Sequence, residues 1–176
     1  MRGDERRDDI TVLGVDPGTV TMGYGIVQDR NGRTTMLASG AFSAPAAAPL
    51  GQRLRNMYLG LTQLIDRYQP DVVAVEEPFV AQNIQAALAV GRAQAVAILA
   101  AANQGKPVYQ YSPAKVKQAV TSYGTSSKEQ VQEMVKVLLN LPQIPSPADA
   151  ADALAVALCH LQESRVARMI SDRKSG

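Results

Sequence analysis

The first apolar stretch of the chain is ITVLGVD at residues 10–16, hydrophobic almost throughout and closed by an acid. Bounded by Pro17-Gly18, it reads as a strand. Two shorter apolar patches follow, YGIV at 24–27 and TMLA at 35–38, with Arg30-Asn31-Gly32-Arg33 between them. Asn-Gly between two such patches signals a hairpin, so the chain is predicted to open as a three-stranded meander. Residues 44–49 are rich in Ala and Pro and read as a loop. The period then changes. Leu54, Met57, Leu61, Leu64, Ile65 and Tyr68 recur at helical spacing, which predicts a helix over Leu50–Tyr68 that Pro70 ends. DVVAVE at 71–76 is nearly continuous in apolar character, as expected of a strand covered on both faces, and Pro78 stops it.

In the second half, Ile84, Leu88, Gly91, Ala95, Ile98 and Ala102 step by 4, 3, 4, 3 and 4, predicting a helix over 81–104 with Gly105 as its stop. A short strand is predicted at 107–111. Ser112-Pro113 pairs an N-cap residue with proline at the first helical position. Ser126-Ser127-Lys128-Glu129-Gln130 resembles a capping box, opening a helix to about Leu141. Residues 142–147 read as a loop, with Ser146 capping a last helix over 147–168. The predicted order is β-β-β-α-β-α-β-α-α, a meander followed by βαβ crossovers. That order implies one α/β domain over 10–168, a mixed sheet with helices on its faces. Residues 1–9 alternate charges without an apolar anchor and are expected to be a disordered extension, with 169–176 as a C-terminal tail.

Composition narrows the class. At 176 residues and 46% hydrophobic content the chain is large enough for one well-buried core. The single Cys159 cannot form an internal disulfide and suggests an intracellular protein. No apolar run is read as approaching the roughly 20 residues of a membrane helix, and the charged N-terminus lacks the apolar core of a signal peptide. The net charge of +2 is uninformative, but between Ile84 and Val137 six cations face two anions.

Beside that basic stretch stand four acids. Asp16 ends the first predicted strand and Glu76 the fourth, while Asp149 and Asp152 are three apart on one helical face. Sites in open α/β sheets form beyond the carboxyl ends of strands, so neighbouring parallel strands would bring Asp16 and Glu76 together, with the last helix adding the other two. Each acid also has an ordinary role. Asp16 suits a turn before Pro-Gly, Glu76 beside Glu77 a solvated strand end, and Asp149 the close of a capping box begun by Ser146. Asp152 is the exception, since it lies among Ala150, Ala151, Ala153, Leu154 and Ala155, where a buried acid needs a partner. Four converging carboxylates need cations, and hard oxygen ligands favour Mg²⁺ or Mn²⁺. With His160 the only histidine, no Cys/His zinc cluster competes. Two such ions about 3.5–4 Å apart clamp an in-line phosphodiester hydrolysis.

The motifs VLGVDPG at 12–18, Gly23-Tyr24-Gly25, VAVE at 73–76 with Phe79 three later, and ADAADALA at 148–155 together resemble the RuvC family of Holliday junction resolvases, in order over residues 11–162. The resemblance implies an RNase H-like fold with a five-stranded mixed sheet and helices on both faces. It implies a homodimeric, Mg²⁺- or Mn²⁺-dependent endodeoxyribonuclease with two ions per active site. Such an enzyme nicks two like-polarity strands of a four-way junction symmetrically, leaving 5′-phosphate and 3′-hydroxyl ends. It acts with the branch-migration proteins RuvA and RuvB in the bacterial cytoplasm, at the nucleoid. Carried over by position, Asp16, Glu76, Asp149 and Asp152 are the catalytic metal ligands and Phe79 a base-stacking aromatic. Lys117 and Lys128 match lysines near the scissile phosphate. Thr19, Thr21 and Ser112 are further candidate phosphate contacts. Asp149 stands where some relatives carry His, and Gln82 where Lys is common.

Three other readings remain open on the residues. The segment DPGTVTMG at 16–23 also resembles the first phosphate loop of actin-like and sugar-kinase proteins, which need a second domain copy to close over nucleotide. A catalytically silent DNA-binding module is a second reading, and an RNase H-like nuclease for another branched or hybrid substrate a third. The small-residue face of the 81–104 helix suits either a dimer interface or packing on the sheet.

Overall fold

The computed structural model describes residues 9–79 and 83–174. Residues 1–8 of the expected extension, the predicted helix start at Ala81, Gln82, and the last two residues of the expected tail lie outside them. Five strands form one sheet: β1 (Ile10–Asp16), β2 (Thr21–Arg30), β3 (Arg33–Ser43), β4 (Val72–Glu76) and β5 (Val108–Tyr111), in the order β3-β2-β1-β4-β5. The meander is antiparallel and β1, β4 and β5 run parallel. The hairpin turns at Asn31 and Gly32, both at positive φ (52° and 82°), the conformation that favours Asn-Gly there.

Five helices cover the sheet. α1 (Leu50–Tyr68) and α2 (Ile84–Asn103) take one face. α3 (Pro113–Thr121), α4 (Lys128–Leu138) and α5 (Ala148–Lys174) take the other. The predicted order lacked α3. Its start was legible, because Ser112 accepts from the Lys115 amide at 3.3 Å and Pro113 opens the helix, but its nine residues are too few for a clear period. β2 and β3 extend past both ends of the predicted 24–27 and 35–38, since ladder pairing carries polar residues that hydropathy alone does not place. The α4 capping box is present, with Ser127 and Gln130 bonded reciprocally at 2.8 and 3.2 Å. The residue before α5 is Pro147 rather than Ser146, and α5 runs past Arg168 through part of the expected tail.

Another expectation is corrected. α2 has 20 residues and is long and apolar enough to cross a membrane by length and composition alone. Arg92 and the glutamines that interrupt its sequence do not outweigh its many alanines and aliphatic residues. In this fold Ala93, Ala97, Ala100 and Ala101 of α2 pack into the core with Leu61 and Ile65 of α1.

Period-two alternation sets the site. Val12 and Val72 pack in the core beneath α5, so Gly14 and Asp16 on β1, and Ala74 and Glu76 on β4, share that face. The β1–β4 register pairs Val12 with Val72 and Val15 with Val75, which brings Asp16 and Glu76 to the next step of the ladder. The register is pinned at the opposite end. The Thr11 amide donates to Asp71 Oδ2 at 2.7 Å, and the Asp71 amide to the Thr11 carbonyl at 2.8 Å.

Candidate active site

α5 lies close against β1 and β2. A Cβ on Gly14 would collide with the Ala153 carbonyl oxygen, and one on Gly23 with the Asp149 carbonyl oxygen. Ala150, Ala151, Ala153, Ala155 and Ala157 of α5 are buried. This approach carries Asp149 and Asp152 to the strand ends. One carboxylate oxygen from each of Asp16, Asp149 and Asp152 lies within 4.8 Å of the others. Glu76 lies outside that three-acid group but lines the same cleft as Asp16 and Asp152 and acts on the Asp16 charge.

The cluster opens on a cleft of about 270 Å³ lined by Asp16, Glu76, Lys117, Lys128 and Asp152, with Pro113, Val116, Val131 and Ala155 as apolar walls. Burial first, then Glu76 and the two α5 acids, push the Asp16 carboxyl from 3.8 up to about 8. Glu76 is raised as well, mainly by burial, while its interaction with Asp16 and the nearby lysines pull the other way. With no cation bound, both shifts run the same way and favour the protonated forms of Asp16 and Glu76. Lys128 supplies further compensation, its Nζ 2.8 Å from Asp152 Oδ2. Three oxygen donors held close and short of positive charge fit a hard divalent cation.

The DNA-contact candidates separate. Phe79 is 74% exposed and is not a core ring. Lys117 and Lys128 border the cleft. The Thr19 hydroxyl and carbonyl accept from Arg53 at 3.2 and 3.1 Å, and the Ser112 hydroxyl caps α3, so both serve local structure. Thr21 opens β2 opposite Ser43. His160 is buried, bonded to the Tyr111 hydroxyl at 2.8 Å. Sequence reasoning missed the cleft's apolar walls. Val116 and Val131 carry no chemical signal, and they meet only because α3 and α4 pack side by side.

This sheet topology, with acids converging at the carboxyl ends of adjacent parallel strands, is that of an RNase H-like nuclease, and the acids could hold a divalent metal. The family described as crossover junction endodeoxyribonuclease RuvC matches residues 12–160. The chain belongs to that family. It is 54% identical over 160 residues to the crossover junction endodeoxyribonuclease RuvC of Dehalococcoides mccartyi strain BAV1, covering 91% of this chain and 96% of the relative. The structure of Thermus thermophilus RuvC in complex with Holliday junction substrate superposes with a TM-score of 0.84 at 34% identity, over 90% of this chain and 96% of that one. The yeast mitochondrial Holliday junction resolvase Ydc2 shares the fold, with a TM-score of 0.59 at 14% identity over 86% of this chain and 78% of that one.

Proposed function

We propose that this protein resolves four-way DNA junctions by symmetric, metal-dependent nicking of two like-polarity strands, in recombination and repair. The observation that carries the reading is the meeting of Asp16, Asp149 and Asp152 beside Glu76 in a lysine-bordered cleft. These four acids would hold two ions, Mg²⁺ or Mn²⁺, with Asp16 central because the charges of the other three all act on it. When bound, the cations supply activation of water and stabilisation of the leaving 3′ oxygen. The chain's own residues do the rest. The acids fix the ions at the strand ends, Lys117 and Lys128 draw the phosphate into the cleft, and exposed Phe79 offers a stacking surface to an unpaired base.

A two-fold substrate calls for two sites related by a two-fold axis, and the outer face of α2 supports a homodimer. Of the stripe Ile84, Leu88, Gly91, Ala95, Ile98 and Ala102, four members are exposed and Gly91 and Ile98 are half-buried. The sheet is met instead by a different set of alanines. A Cβ at Gly91 would meet nothing within 4 Å, so no packing within one chain requires this mid-helix glycine, which costs about 1 kcal/mol relative to alanine. Ala95→Glu is expected to yield monomers by sedimentation, and an unchanged dimer would refute the interface. The proposal extends to action with RuvA and RuvB at the bacterial nucleoid.

The test is cleavage of a mobile four-way junction beside linear duplex and a Y-fork, with Mg²⁺, Mn²⁺ or EDTA. Paired nicks on the junction alone, abolished by EDTA and reduced at least about 10³-fold by Asp16→Asn, are expected. Tight junction binding without cleavage would favour a silent binding module instead.

A further inference from the structure

We infer that Lys128 is a resident counter-ion of the acid cluster, which must release Asp152 when a divalent ion arrives and is thereby handed to the DNA phosphate. The inference rests on the metal-dependent reading above and adds to it a coupling between ion and DNA. The Lys128 ammonium lies 2.8 Å from Asp152 Oδ2. Asp152 is one of the three acids whose oxygens converge. A divalent ion held by Asp152 would stand close to the Lys128 ammonium, so the two cations repel each other and compete for the charge of one carboxylate.

The placement of Lys128 supports exchange rather than a fixed bond. It is the first residue of α4, and the reciprocal Ser127–Gln130 capping box holds its backbone. A cation at a helix N-terminus meets the positive end of the helix dipole, so the position does not serve the helix. Asp152 is held in α5 with only 14% of its side chain exposed, whereas Lys128 is 59% exposed. The lysine is the partner free to swing. Once released it remains in the cleft beside Lys117, where a phosphate drawn to the ions is within reach. Metal therefore frees a phosphate-binding cation, and a phosphate that takes Lys128 leaves Asp152 to the metal. By linkage each raises the affinity for the other.

The test is Mn²⁺ binding to the DNA-free protein by calorimetry, comparing wild type with Lys128→Met, Lys128→Arg and Lys117→Met at fixed pH and salt. Thermal unfolding verifies that each variant folds, and Lys128→Gln replaces Lys128→Met if the latter is unstable. Lys128→Met should bind Mn²⁺ about fivefold more tightly than wild type, the scale of one partly exposed ion pair. Lys128→Arg should stay near wild type and Lys117→Met should gain less than about twofold. Equal or weaker affinity in Lys128→Met would overturn the inference. So would an equal gain in Lys117→Met, which would reveal a general field effect, or in Lys128→Arg. If neither wild type nor any variant binds Mn²⁺, the metal reading itself fails and this inference with it.

Discussion

On one face of the sheet Leu13, Val15, Ile26, Val73 and Val75 meet Met57, Leu61 and Ile65 of α1 and the alanines of α2. On the other, Gly14 and Gly23 let α5 lie directly against the strands. Large side chains keep a helix at a distance and fill the gap, burying apolar area at about 25 cal/mol per Å². Glycine and alanine surrender part of that area in exchange for proximity. Proximity is what the site requires, because Asp149 and Asp152 reach Asp16 only if the α5 backbone rests on β1 and β2. One face is built mainly for stability and the other mainly to place charge.

Substitutions on the two faces should part stability from function. The largest effect on the site is expected from Gly23→Ala. Its new methyl strikes the Asp149 carbonyl and must displace the start of α5. Overpacking of this kind costs about 1–3 kcal/mol, and because the displaced segment carries two of the acids, Mn²⁺ affinity should fall at least about tenfold in calorimetry, more than the stability loss alone explains. Leu61→Ala, on the opposite face, should cost about 2–4 kcal/mol by denaturant titration while leaving the Mn²⁺ affinity of the folded protein within about twofold of wild type. Loss of affinity there would break the comparison.

The smallest effect concerns pH. Asp16 rises from 3.8 to about 8 on folding, so the fold favours its protonated form. Its contribution is fully present below about pH 4 and is lost as pH rises through 8. Asn at position 16 cannot ionise and escapes that loss. In EDTA, Asp16→Asn should be the more stable protein, with a gain that grows from pH 5 to pH 8, read as a rise in Tm relative to wild type. Saturating Mn²⁺ should reverse the order, because only the ionised wild-type cluster binds it fully. A pH-independent difference would show that Asp16 is not held protonated.

Much of this was legible in the residues. The meander, the Asn31-Gly32 turn, the Ser127–Gln130 capping box and the strand-end positions of Asp16 and Glu76 follow from local periodicity and turn chemistry, which a linear pattern records. Asp152 was legible for a different reason, an acid set among alanines. The helix α3 was not, because nine residues are too few for a clear period and only its cap was visible. The Lys128–Asp152 pair was not, since nothing along the chain says which way a lysine at a helix start will turn. Nor was the direction faced by the α2 stripe, because its alanines suit both sheet packing and an outer surface.

The residues by themselves determined the elements, the alternation that puts Asp16 and Glu76 on one face, and the small residues that permit a close helix, because each follows from backbone sterics and nearest-neighbour period. Only the tertiary structure decided which helix lies on the glycines, which carboxylates come within 4.8 Å, and which lysine answers them. Those outcomes depend on contacts between segments far apart in the chain, and on burial that pushes Asp16 to about 8 once the segments close around it.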